Sequence, residues 1–132
     1  MLTETIRALI AQADQAIREE RFDDLMESYT DDAVLVVRPG LEVHGKAAIR
    51  SAFVKIAAYF NNSVVPSQGK MIIINAGDTA LVLSQTFVDA ENKKDSEYPS
   101  ERRATYIYRL VNGKWLCAID NSYGTTLLDS TI

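Results

Sequence analysis

The stretch Arg103–Gly124, RATYIYRLVNGKWLCAIDNSYG, decides the fold. Two strand-like apolar runs flank Asn112-Gly113, the strongest short-range signal for a two-residue hairpin. In that register Val111 lies opposite Lys114. Counting outward, Ile107 faces Ala118, Thr105 faces Asp120 and Arg103 faces Ser122. Side chains alternate along a strand, so Arg103, Thr105, Ile107, Leu116, Ala118 and Asp120 should share one face. Tyr106, Tyr108, Trp115, Cys117 and Ile119 should share the other. Thr105 is then placed to donate to the Asp120 carboxylate, with Arg103 one diagonal step away.

Upstream, KMIIINA (70–76) and TALVLSQTFVDA (79–90) read as two more strands, turned by Gly77-Asp78. The segment ENKKDSEYPS (91–100) reads as a polar loop. The first half has a different period. Leu2, Ile6, Leu9, Ile10, Ala13 and Ile17 recur at helical spacing, with Thr3 as the expected N-cap. Phe22, Leu25, Met26 and Tyr29 make a second short stripe. Val34–Val37 reads as a strand ended by Arg38-Pro39-Gly40, because Pro39 cannot donate to a ladder. After VHGK, Ile49, Ala52, Phe53, Ile56 and Phe60 outline a third helix. Helices first and antiparallel strands after indicate one α+β domain over residues 1–132, about three helices on one curved sheet.

The strands are apolar on both faces: Ile72-Ile73-Ile74 and Leu81-Val82-Leu83 run without alternation. Three short helices cover only one face. The other is expected to pair with a second copy, giving a homodimer through the sheet.

Composition narrows the function classes. The net charge of −4 and the absence of a basic run speak against nucleic acid as a partner. No apolar stretch approaches the roughly 18 residues of a membrane span, and MLTETIRALIAQ lacks signal-peptide character. A soluble, cytoplasmic protein is expected. One cysteine, Cys117, and one histidine, His44, do not build a Cys/His zinc site, and no metal or cofactor is expected. Cys117 reads as a small buried apolar residue.

Asp120 is the candidate for chemistry. A few polar groups at the end of an apolar face are what a small-molecule cleft looks like. They are also what a solvated strand end looks like, where such ion pairs contribute about 0–1 kcal/mol. In a cleft, burial raises a carboxyl pKa by up to about 3–5 units and an adjacent Arg lowers it by about 1–3. With Arg103 beside it, Asp120 is expected to be charged at neutral pH, as a base or an anchor. Tyr59 and Phe60 end the third helix, one in the core and one at the rim. Gln85 lines either the cleft or the dimer face.

The whole chain resembles the nuclear transport factor two-like superfamily, which includes ketosteroid isomerases and SnoaL-like polyketide cyclases. RFDDLMESYTDDAVLVVRPGLEVHGKAAIRSAF and the hairpin above carry the likeness. The resemblance implies a cone-shaped, cystatin-like sheet around a pocket, and often a dimer. It places Tyr29 on the pocket wall and Arg38 where the family uses the end of the first strand. It also shows departures. Arg38 stands where a ketosteroid isomerase has its base, and Thr105 at or near the place of its acid. Of the Arg-x-Asp motif of limonene-epoxide-hydrolase-like members, Arg103 and the second aspartate, Asp120, remain. The implied function is a cofactor-independent isomerase, cyclase or hydrolase acting on an apolar carbonyl compound. Asp120 and Arg103 would be catalytic, and Arg38, Tyr29, Thr105, Tyr59 and Gln85 ligand-binding. The alternative is a dimeric, non-catalytic module binding a small acidic or hydrophobic metabolite.

Overall fold

The computed structural model describes residues 1–90 and 101–129; the expected polar loop at 91–100 lies outside them. The chain runs α1 (Leu2–Arg18), α2 (Phe22–Met26), β1 (Tyr29–Arg38), β2 (Leu41–His44), α3 (Lys46–Tyr59), β3 (Val65–Ala76), β4 (Thr79–Asp89), β5 (Glu101–Val111), β6 (Lys114–Asn121) and a short 3-10 helix, Gly124–Asp129. The α+β class holds. The sheet is a curled, mixed one, in the order β2-β1-β6-β5-β4-β3. Only the β1–β6 pairing is parallel.

The helical stripe of α1 buries Ile6 and Ile10 against the sheet, while α2 adds Phe22, Leu25 and Met26. α1 lies over β3, and α3 lies over β1 and β2. Phe22 stacks on Phe53 of α3, and Tyr29 packs on the same ring. The inner faces of the strands meet these helices through Leu35, Val82, Ala104, Tyr106 and Tyr108. Fully burying one such large apolar side chain stabilises by about 1.5–3 kcal/mol, so this layer carries much of the fold.

The sequence reading misplaces some boundaries. α1 begins at Leu2, so Thr3 is inside the helix and Met1 is the N-cap. Leu41–His44, not singled out as a strand in the sequence, pairs with β1 as an edge strand. β3 starts five residues before Lys70.

Two irregularities in the ladders matter for the site. The Asn112-Gly113 turn forms as expected, with φ of 51° and 81°, the left-handed pair a type I′ hairpin requires. Val111 pairs with Lys114 and Tyr108 with Cys117, but Ile107 pairs with Ile119. Ala118 is therefore an extra residue, a β-bulge, and every β6 side chain beyond it changes face. A second bulge lies in β3, where Gln68 pairs with Thr86 and Met71 with Ser84, leaving Gly69 and Lys70 opposite Gln85. Beyond β6 the chain turns back at Gly124 (φ 58°), where a Cβ would sit 1.8 Å from the Arg103 carbonyl oxygen. Only glycine fits there. No helix among the described residues is long and apolar enough to cross a membrane.

Candidate functional site

A cavity of about 140 Å³ lies between the helices and the inner face of the sheet. Its walls are largely apolar: Ile10, Ile17, Phe22, Leu35, Phe53, Ile56, Phe60 and Val88. An apolar cavity of about 150 Å³ holds a benzene, so this one is the size of a single ring. Its polar lining includes Asp14, Tyr29, Gln68, Thr86, Arg102, Tyr106, Asp120 and Ser122.

Asp120 enters from β6 because of the Ala118 bulge. It pairs with Tyr106 on β5 and with Leu35 on β1. The Tyr29 hydroxyl, at the start of β1, donates to Asp120 Oδ2 at 2.6 Å. Burial raises the Asp120 pKa above the ordinary carboxylate value, while the Tyr29 hydrogen bond and the charge of Arg102 pull it back down. Desolvation is the largest of the three, and the arginine that opposes it is Arg102, where the sequence reading had Arg103. Burial and the nearby Asp120 charge also push the Tyr29 hydroxyl well up, so it stays a donor at neutral pH.

Arg102, not Arg103, turns inward from β5. Arg102 Nη1 donates to Ser122 Oγ at 2.6 Å, and its guanidinium lies 4.6 Å from the centroid of the Tyr123 ring. A strand end and the turn after it thus hold one cation at the cavity wall. Cation–π packing of this kind is worth about 0.5–2 kcal/mol.

The second carboxylate is Asp14 of α1, which is 8% exposed. Gln68 Nε2 donates to Asp14 Oδ2 at 3.0 Å. Gln68 Oε1 accepts from Ser84 Oγ at 2.5 Å and from Thr86 Oγ1 at 2.9 Å. Thr86 Oγ1 also lies 3.0 Å from the Tyr106 hydroxyl. Burial is the main cause raising the Asp14 pKa from 3.8 to about 6; the Gln68 hydrogen bond opposes it, and the Asp120 charge adds to it.

The residues expected from sequence are therefore sorted by the two bulges and by helix end geometry. Asp120 and Tyr29 line the cavity and are hydrogen-bonded to each other. Thr105 faces Asn121, not Asp120, and accepts from the Asn121 side-chain amide at 3.1 Å on the outer face. Arg103 is exposed. Tyr106, Tyr108 and Cys117, expected on the face opposite Asp120, share the cavity with it. The common reason is Ala118: an uninterrupted count assigns Asp120 to the wrong set. Gln85 sits on the outer face, donating to Glu101 and accepting from the Lys70 amide. Arg38 is exposed at the end of β1, outside the lining, because the chain leaves the sheet there. Tyr59 is 49% exposed while its neighbour Phe60 packs inside. His44 is exposed against Glu42. Among the described residues, no three His, Cys, Asp or Glu side chains gather in a way that could hold a metal ion.

Asp14, Gln68, Arg102 and Tyr106 line the cavity but are not among the candidates the sequence offers. For Asp14 the signal was there: it occupies the i+4 place in the run Ile10, Ala13, Asp14, Ile17, a carboxylate on an apolar stripe.

The SnoaL-like domain family matches residues 6–118. The chain belongs to this family. Among curated proteins no sequence matches. Among solved structures, an NTF2-like protein of unknown function from Pseudomonas putida is 24% identical over 91% of this chain and 85% of its own, with a TM-score of 0.72. Aln2 from a Streptomyces species is 15% identical over 91% and 88%, with a TM-score of 0.78. A candidate scytalone dehydratase from Novosphingobium aromaticivorans is 15% identical over 89% and 80%, with a TM-score of 0.73. At these identities the likeness is one of fold, and an NTF2-like relative carries the cystatin-like description as well.

Proposed function

We propose that this SnoaL-like chain is a small enzyme that moves protons on an apolar, single-ring carbonyl compound, with Asp120 as the base. The observation that carries this reading is the Asp120 carboxyl, hydrogen-bonded by Tyr29 at 2.6 Å and lining an apolar cavity. A carboxylate whose pKa is raised by burial is a stronger base than one in water, and general-base catalysis contributes about 10²–10⁴-fold. The base takes a proton from the carbon beside the carbonyl, and the electron pair moves onto the carbonyl oxygen. Arg102, already held by Ser122 and Tyr123, supplies positive charge for that oxygen without reorganising. The apolar wall excludes water and selects for a hydrocarbon ring.

A second reading is a binding module without turnover. The held guanidinium of Arg102 favours it, since such a group also anchors a ligand carboxylate. In either case we propose a homodimer through the outer sheet face. Ile74, Leu81, Ile107 and Ile119 follow one another across four strands there, and Ile72 and Ile74 are 54% and 55% exposed. Such a contiguous apolar row on a sheet face is suited to a second copy.

The test is hydrogen exchange beside the carbonyl of cyclohexanone and cyclohex-2-enone in heavy water, followed by proton NMR. Exchange by the native protein that falls about 100-fold in Asp120→Asn supports the base role. Exchange that persists unchanged in Asp120→Asn overturns it. Thermal stabilisation by benzoate without exchange of any probe selects the binding module.

A further inference from the structure

We propose that Asp14 is a second proton-transfer group in this cavity and that Gln68 is the residue positioning it. The inference rests on the proton-transfer reading above and extends it to a two-carboxyl site.

The argument starts from the direction of the hydrogen bonds. A buried carboxylate only accepts, so the Gln68 amide group must present its NH₂ to Asp14 Oδ2. Its carbonyl then points the other way, where Ser84 and Thr86 both donate to it. Thr86 spends its one proton on Gln68, which makes the Tyr106 hydroxyl the donor in the Thr86–Tyr106 contact. Ser84, Thr86 and Tyr106 are all buried. Three buried hydroxyls are thus aligned to orient a single amide, and that amide holds one carboxylate at the cavity wall. The β3 bulge at Gly69-Lys70 leaves Gln68 paired with Thr86, on the inner row that continues to Arg102.

Burying an acid in an apolar wall costs stability, and such costs concentrate at sites that bind or react. Asp14 faces Arg18 on its own helix, Tyr106 from β5 and Asp120 from β6, with neutral Gln68 from β3. The Asp120 charge raises the proton affinity of Asp14, as a nearby like charge does, which favours a proton on Asp14 while Asp120 is ionised. Asp120 then accepts the proton from carbon while Asp14 delivers its own where the electron pair arrives. Each turnover restores the proton count of the pair.

Carbon-13 NMR titration of carboxyl-labelled aspartates, assigned with Asp14→Asn and Asp120→Asn, tests the first half without any ligand. The Asp14 resonance should titrate near 6, lower in Asp120→Asn and higher in Gln68→Leu. If Gln68→Leu does not fold, Thr86→Val removes an orienting hydroxyl instead and should shift the midpoint the same way. A midpoint near the ordinary carboxylate value, unmoved by the Gln68 or Thr86 change, overturns the proposal. The second half uses the exchanging ring ketone. Asp14→Asn should lose about 100-fold. Gln68→Leu should lower kcat with KM unchanged and move the alkaline limb of the pH profile to higher pH, which a merely structural loss would not do. Exchange lost in Asp120→Asn but intact in Asp14→Asn overturns this inference and leaves the Asp120 reading standing. Absence of exchange in the native protein overturns both.

Discussion

Replacing Asp14 by asparagine should stabilise this protein at neutral and alkaline pH. The carboxyl is buried, and its pKa rises from 3.8 to about 6 on folding. A pKa difference of this size corresponds to about 3 kcal/mol, at about 1.4 kcal/mol per unit. The sign follows from which state binds the proton. Between pH 4 and 6 the folded chain holds a proton on Asp14 that the unfolded chain has released. The stabilising contribution is therefore complete below the unfolded pKa and disappears as pH rises through the folded one. Above about pH 7 the native protein carries a desolvated charge. Asparagine keeps an acceptor for the Gln68 NH₂ and removes that charge. Urea unfolding of the native protein and Asp14→Asn should give equal stabilities near pH 4. At pH 8 the variant should be more stable by about 2–3 kcal/mol, or roughly 10 °C in Tm for a chain of this length. The difference between the two curves isolates Asp14 from every other acid. A variant that is equal to or weaker than the native protein at pH 8, with a parallel pH dependence, refutes the reasoning.

Tyr29→Phe removes a donor from Asp120; the Asp120 carboxyl, seen by carbon-13 NMR, should titrate higher, and stability at pH 8 should fall by about 1.5–3 kcal/mol. Arg102→Gln should abolish benzoate-induced thermal stabilisation while Arg103→Gln leaves it intact; the opposite pattern would put the β6 bulge in doubt. Gly124→Ala forces a Cβ onto the Arg103 carbonyl and should cost more than about 2 kcal/mol in urea unfolding. Ile74→Lys on the outer face should convert a dimer to a monomer in sedimentation velocity, and a native protein already sedimenting as a monomer removes the dimer proposal.

How far the sequence carries depends on which residues have a period. The hairpin at Asn112-Gly113 and the helical stripes of α1 and α3 were legible because turn chemistry and apolar spacing act locally. The α+β class and its curled sheet follow from them. A bulge leaves no such mark. Ala118 is small and apolar and fits either face, so nothing in an alternating count shows that it is supernumerary. The consequence is large: an alternating count groups Asp120 with Arg103 and Thr105, whereas its neighbours in the structure are Tyr29, Tyr106 and Arg102. Gln68 was hidden similarly, since Gly69-Lys70 reads as the start of a strand when it is an interruption inside one.

These two failures have one physical root, and it bears on function. An ideal alternating ladder leaves β6 facing in at Cys117 and out at Asp120, and offers a continuous apolar inner face. Each bulge breaks the ladder locally and leaves backbone groups without their regular partners. In exchange, the Ala118 bulge brings a carboxylate in beside Tyr29, and the β3 bulge lies immediately after the amide that grips Asp14. A fold optimised only for stability has no use for either carboxyl in this cavity. The places where local sequence rules fail are those where polar groups enter an apolar wall, and such departures concentrate where binding or catalysis needs them. Restoring the regular register by deleting Ala118 should therefore expel Asp120 to the outer face and abolish exchange, even in a variant that still folds. A deletion variant that exchanges ring-ketone protons at the native rate would show that the bulge serves the sheet's curvature instead.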